Sequence, residues 1–390
     1  MDPFGNSVDL RDDLNATGEN NQSNSILAKN KKLFIIIFVI ILVLTIGVLV
    51  LVFFLLNNDD NKDDNKDDNK DGNQNIPDDP NPKDSTSGEI NCIYSINDIN
   101  SNISLLSKEF ENYNNTIIDI YINNEKIPFF KEYKFSKVGN YNIKYILNSV
   151  VNMDNMFKDI LSIESINIKS TSPIIILSMK SVFEGCSNLK TINLYEALLN
   201  TKNVVDMSSM FNGCNSLNYL DLSILDTSNV VNMSYMFSNL YNLISLSIIS
   251  FDTSKVKYMD FMFYNDYLIE DIEINFNTEN VENMKGMFWN CFNLRQINSH
   301  LFNTRKVKNF DYMFANCTSI QILNLCSFYT VDCDSFKEMF SGCNRMIVEI
   351  QENIEDYENL LDVILNSDLN IRFVLPTDPY LIQFPFPFPY

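Results

Sequence analysis

The chain has 390 residues, 50 of them acidic and 29 basic, for a formal net charge of −21. That balance argues against nucleic acid or any other phosphate-rich partner, because such partners are held by clustered Lys and Arg. A single histidine, His300, excludes paired-His metal sites and would rest any His-centred triad on one residue.

Residues 1–32 are rich in Asn, Asp, Ser and Gly and poor in large apolar side chains, a composition that does not offset the entropy of folding and predicts a disordered tail. Leu33 to Leu56 carries no charge and as a helix would extend roughly 36 Å, enough to span a bilayer with some tilt. It ends in Phe-Phe-Leu-Leu-Asn-Asn-Asp-Asp without a small-residue cleavage site, so residues 33–56 predict a retained transmembrane helix and not a cleaved leader. Lys29, Lys31 and Lys32 abut its first end, and the first basic residue after its second end is Lys62. The charge bias places residues 1–32 in the cytoplasm and the rest of the chain outside, as an integral single-pass membrane protein.

Residues 57–88 repeat an Asn-Lys-Asp-Asp quartet and then turn Pro-rich at Pro77, Pro80 and Pro82, which predicts an extended, self-repelling stalk. Within it Asp67, Asn69, Asp71, Gly72 and Asp78 imitate a calcium-binding loop. The quartets generate that spacing by themselves and no apolar helix flanks it, so the segment reads as a solvated charge run and no metal or cofactor is expected. Residues 89–147 predict a small β-rich capping module. Ile117 to Ile122 alternates, Asn123-Asn124 is a turn signal, and Lys134 to Leu147 offers two apolar stretches around Gly139-Asn140.

From Val150 onward one pattern recurs: V-x-x-M-x-x-M-F, two further residues, often a Cys, then x-x-L-x-x-L-x-L. Its anchors are Phe157, Phe183, Phe211, Phe237, Phe263, Phe288, Phe314 and Phe340, spaced 25 to 28 residues apart. A period near 26 held through eight copies is the mark of a solenoid whose units bury their apolar faces against one another. In the unit beginning Asp226-Thr227-Ser228, the first three residues offer capping oxygens. Val230, Met233, Met236 and Phe237 then fall on one face of a short helix or 3₁₀ segment, and Leu243, Leu246 and Ile248 lead into a short strand. The expected fold class is therefore α/β: about eight repeats of ~26 residues across 148–350, each a short strand plus a short helical segment, stacked on a phenylalanine spine. An amphipathic helix from Ile354 to Leu365 is expected in a C-terminal cap, 351–375, before a Pro/Phe-rich tail, 376–390.

Units such as Phe251-Asp252-Thr253-Ser254-Lys255-Val256 with Met259, Met262 and Phe263 resemble the repeats of BspA-like leucine-rich-repeat surface proteins. The resemblance covers about residues 150 to 350. It implies a leucine-rich-repeat fold on a cell surface, with adhesion or ligand binding as the usual role.

Five cysteines, Cys186, Cys214, Cys291, Cys317 and Cys343, sit three residues after a spine Phe, a slot filled elsewhere by Ile160, Leu240 and Asp266. A slot that accepts Ile or Leu is buried and small, so these are expected to be thiols, whereas Cys92, Cys326 and Cys333 lie outside it and are the first candidates for pairing, which the sequence leaves open. Phosphate-loop, dinucleotide, H-E-x-x-H and G-x-S-x-G motifs are all missing, so no catalytic residue is assigned and an enzyme is not expected.

The strand positions between inward leucines project outward, and they define the candidate binding surface: Tyr219 as aromatic anchor, with Asp221, Asp271, Glu273 and Gln296 around it. The ligand expected there is an extracellular protein or glycan with a basic or hydroxyl-rich surface. The alternative is a structural spacer or envelope component without a specific ligand. Asn102, Asn114, Asn232 and Asn316 lie in N-x-S/T sequons and are glycosylation candidates.

Overall fold

In the computed structural model the chain divides into Met1–Pro80 and Asn81–Tyr390, and the described residues, 88–351, 358–367 and 369–374, all belong to the second unit. The expectations for 1–32, 33–56, the stalk up to residue 87 and the tail 376–390 lie outside the described residues. Among the described residues no helix is long and apolar enough to cross a membrane.

Gly88–Ile96 is the central strand of the N-terminal sheet. Its alternate residues Ile90, Cys92, Tyr94 and Ile96 are fully buried, and it pairs antiparallel with Gly139–Leu147 on one side and Ile163–Lys169 on the other. Ile117–Ile122 and Glu125–Ile127 form the outer hairpin. Asn123 and Asn124 both adopt positive φ, 47° and 69°, which is the turn that a tight two-residue hairpin needs. Ile163–Lys169 then pairs in parallel with Thr191–Glu196. The expected break between residues 147 and 148 is thus bridged by one sheet, whose antiparallel half caps the first coil and whose parallel half begins the stack.

Two parallel ladders run along the stack. One holds the short strands, with Tyr219–Asp221 against Ser245–Ser247, Asp271 against Gln296, and Ile322–Asn324 against Ile347–Gln351. The other passes through single bridges at Asp206, Asn232, Tyr258, Asn283, Asn309 and Ser335.

The V-x-x-M-x-x-M-F segments between these ladders correct the expected helix, and with it the expected α/β class: the coils form a β-solenoid. In one coil the N–H groups of Met210, Asn212 and Cys214 donate three residues back, as in a 3₁₀ turn. Those of Ser209, Phe211 and Gly213 donate instead to Ser234, Met236 and Ser238 of the next coil. Alternate donors therefore serve the turn and the ladder, a division no helix permits because all its N–H groups point one way. The geometry needs a left-handed residue every fourth position. Positive φ occurs two residues before each spine Phe, from Asn155 through Glu338, and two residues after it, at Asp159, Gly185, Gly213, Asn239, Asn265, Asn290, Asn316 and Gly342. The Asp226-Thr227-Ser228 triplet is likewise not a helix cap. Asp226 Oδ1 accepts the Ser228 N–H within a local turn, while the Thr227 hydroxyl donates to the Asp252 carbonyl of the next coil.

Inside the stack, identical side chains meet their counterparts coil after coil. The eight spine phenylalanines are buried and stack with centroids 5.4–6.2 Å apart, from Phe157 on Phe183 to Phe314 on Phe340. Asparagine amides form a second column: Asn239, Asn265, Asn290 and Asn316 each donate Nδ2 to the Oδ1 of the preceding coil's Asn, at 2.7–2.8 Å. Five thiols form a third, Cys186, Cys214, Cys291, Cys317 and Cys343 each donating to the carbonyl of the preceding coil's spine Phe, at 3.0–3.1 Å.

No disulfide links the eight cysteines, which decides against the pairing left open for Cys92, Cys326 and Cys333. Cys92 lies buried in the N-terminal sheet opposite Ile143 and Ile166, while the other two sit in the last coils. At the far end Glu358–Asn366 is a helix that buries Leu360 and Ile364. It leads into Asn370–Val374, which pairs in parallel with Ile347–Gln351. The ladder therefore continues past the expected end of the repeats at residue 350.

Candidate functional site

The strand ladder sets the candidate surface. Inward residues Leu220, Leu222, Leu246, Ile248, Ile272, Ile274 and Leu325 are buried, so their alternating neighbours face solvent at a coil-to-coil spacing of about 4.8 Å. Tyr219 is 54% exposed. Asp271, Glu273 and Gln296 are exposed, and Asp221 is half-buried.

Near the N-terminal end of this face a carboxylate gathers two phenols. Tyr219 Oη donates to Asp221 Oδ2 at 3.2 Å, and Tyr195 of the coil before donates to the same oxygen. Asp221 Oδ1 accepts the Ser223 N–H at 2.9 Å. Partial burial opposes ionisation of Asp221, yet the hydrogen bonds from Tyr195, Ser223 and Tyr219 hold its pKa down at about 2. The Asp221 bond pushes the Tyr195 phenol up to about 12. Asp221 is consequently an organiser of two tyrosine rings more than an open acceptor. Tyr195 was not among the candidate residues, although the outward alternation Thr191, Asn193 reaches it two residues further on.

Asp271 and Glu273 do not form one acidic patch with Asp221, because the coil of Ser245 and Ser247 lies between them. Asp271 is instead bridged to Gln296, and these two border a groove of about 830 Å³ that reaches Arg295, Arg345, Glu349 and Arg372. Arg295 pairs with Glu270 at 3.0 Å and Arg372 with Glu349 at 2.9 Å. The arginines lie just before the outward strand positions or beyond residue 350, where the column of outward residues did not extend.

Of the sequon asparagines, Asn102 and Asn114 are exposed. Asn232 accepts the Ser234 N–H through Oδ1, and Asn316 is tied into the asparagine column. The thiols of the cysteine column are held protonated by burial, Cys186 with a pKa of about 12 and Cys343 about 11, so they are poor nucleophiles. Among the described residues no group of His, Cys, Asp and Glu is arranged to hold a metal ion.

A family model described as "Mycoplasma protein of unknown function, DUF285" matches residues 121–196, 177–296 and 266–364, which together span more than half of the chain. No curated protein matches it.

Proposed function

Belonging as it does to the DUF285 family, the chain is, we propose, a surface-displayed binding protein of the BspA-like kind that holds its ligand on the strand face of the solenoid. One observation carries this reading. The interior columns repeat Phe, Met and Thr almost without change, while the outward column runs Thr191, Tyr219, Ser245, Asp271, Gln296, Ile322, different at every coil. A spacer has no use for an individual surface on each coil, whereas a binding face requires one. Tyr219 and Tyr195, held by Asp221, offer rigid aromatic area at low entropic cost.

The apolar stretch Leu33 to Leu56 supports a membrane anchor with residues 89–390 outside. The absence of a recognisable nucleophile or paired base in the sequence favours binding over catalysis. The test is a screen of the full-length chain in detergent against extracellular-matrix proteins, glycans and whole cells. A ligand whose affinity drops at least tenfold in Tyr219→Ala, with thermal stability unchanged, is the expected result. Failure of every probe would favour the spacer.

A further inference from the structure

We propose that the groove bordered by Asp271, Gln296 and Arg345 binds a carboxylate-bearing saccharide, a ligand class that rests on the binding role of the strand face. In a chain of net charge −21 with only five arginines, three of them, Arg295, Arg345 and Arg372, line this one groove. Arg295 and Arg372 are steadied by Glu270 and Glu349, and each guanidinium has further N–H donors beyond the one bonded to its partner. Arg345 is exposed and makes no ion pair among the described residues. It is the group best placed to take a ligand carboxylate in a two-pronged bond.

The rest of the lining decides which carboxylate. Asp271 and Glu349 stand in the same groove as the arginines, and Gln296, Gln321 and Ser319 add amides and a hydroxyl. An acidic peptide brings its negative charges past those two carboxylates and has few hydroxyls to give them. A uronate-type saccharide satisfies both halves, its carboxylate meeting Arg345 and its ring hydroxyls donating to Asp271 and Glu349. Ile322, 46% exposed in the middle of the groove, offers an apolar patch to the C–H face of a ring. The coil of Arg372 is the fourth after that of Asp271, a span of roughly 19 Å at ~4.8 Å per coil, which suits an oligosaccharide better than a single sugar.

The test is titration calorimetry of the full-length chain in detergent with a galacturonate tetramer, its methyl ester and polyglutamate. The tetramer should bind, the uncharged ester at least tenfold more weakly, and polyglutamate no better than the ester. Arg345→Gln should weaken the tetramer at least tenfold, and Arg345→Lys should restore only part of the loss, with the melting temperature unchanged in both. Equal binding of acid and ester, tighter binding of polyglutamate, no binding of the tetramer, or an Arg345→Gln variant with unchanged affinity overturns the assignment. A ligand from the broader screen that depends on Tyr219 but not on Arg345 would leave the strand-face reading standing and remove this one. Loss of both would remove both.

Discussion

Asp266 occupies the slot that five coils fill with cysteine. It is fully buried; its Oδ1 accepts the Leu240 N–H at 2.9 Å, and its Oδ2 has no hydrogen-bond partner. Burial drives its pKa well above the ordinary 3.8, against the smaller opposing effect of the Leu240 bond. Below pH 3.8 the folded and unfolded carboxyls are both protonated and nothing is lost. As pH rises through that value the unfolded chain releases its proton while the folded chain keeps it, so this group lowers stability with rising pH. Asp266→Asn keeps an acceptor for Leu240 and removes the ionisation. It should raise stability at pH 7, with the gain shrinking toward pH 4, as read from denaturant midpoints at the two values. A gain of the same size at both pH values would show that the carboxyl's charge is not the cause. Asn265, one residue earlier, gives a second measure at this scale. Its amide donates to Asn239 and accepts from Asn290 at a φ of +67°. Asn265→Ala loses both bonds and strains the backbone, costing about 2–4 kcal/mol, whereas Asn265→Gly relieves the strain and should cost about 1 kcal/mol less. Equal losses would mean that the left-handed backbone is not constraining the choice.

The coil is where sequence and structure diverge most instructively. The period, the Phe anchors and the inward leucines could be read from spacing alone, because burial acts on every repeat alike. The helix could not be excluded in the same way. A spacing of three, three and one between Val230, Met233, Met236 and Phe237 suits a 3₁₀ turn and the observed ribbon equally, since both close i to i+3 bonds. The distinguishing signal was the Gly, Asn or Asp found two residues after every spine Phe, which are the residue types that tolerate positive φ. The arginine groove escaped notice because Arg345 and Arg372 meet Arg295 only through the coil-to-coil register. Within the coil, Phe237 stacks between Phe211 at 6.2 Å and Phe263 at 5.6 Å and is fully buried. Phe237→Ala should cost about 3–5 kcal/mol, since the cross-coil ladders on either side hold the backbone apart and keep the cavity from collapsing. A loss under about 1 kcal/mol in denaturant unfolding would show that the neighbours close over the gap.

At the scale of the whole molecule, the two ends of the stack are finished differently, and this shapes how the chain should respond to protease. The first coil is closed by the antiparallel sheet around Gly88–Ile96, and the last by the Glu358–Asn366 helix and the strand Asn370–Val374. Between them each coil is bonded to the next through the turn ribbon, and the ladder from Asp206 to Ser335 runs without a break, while the strand ladder pairs only some neighbouring coils, leaving few segments long and loose enough to enter a protease cleft. Residues 57–88, by contrast, have a composition of Asn, Asp, Lys and Pro that offers no apolar core. If Leu33 to Leu56 anchors the chain with its basic flank inside, protease added to intact cells should cut in the stalk and release the solenoid as one resistant fragment. Residues 1–32 should stay with the cells. Mass measurement of the released fragment would place its new N-terminus between residues 57 and 88. A chain that stays whole on intact cells and is cut only after they are permeabilised would put the solenoid on the other side of the membrane. Release of many small peptides instead of one fragment would show that the coils open independently, against the continuous bonding described here.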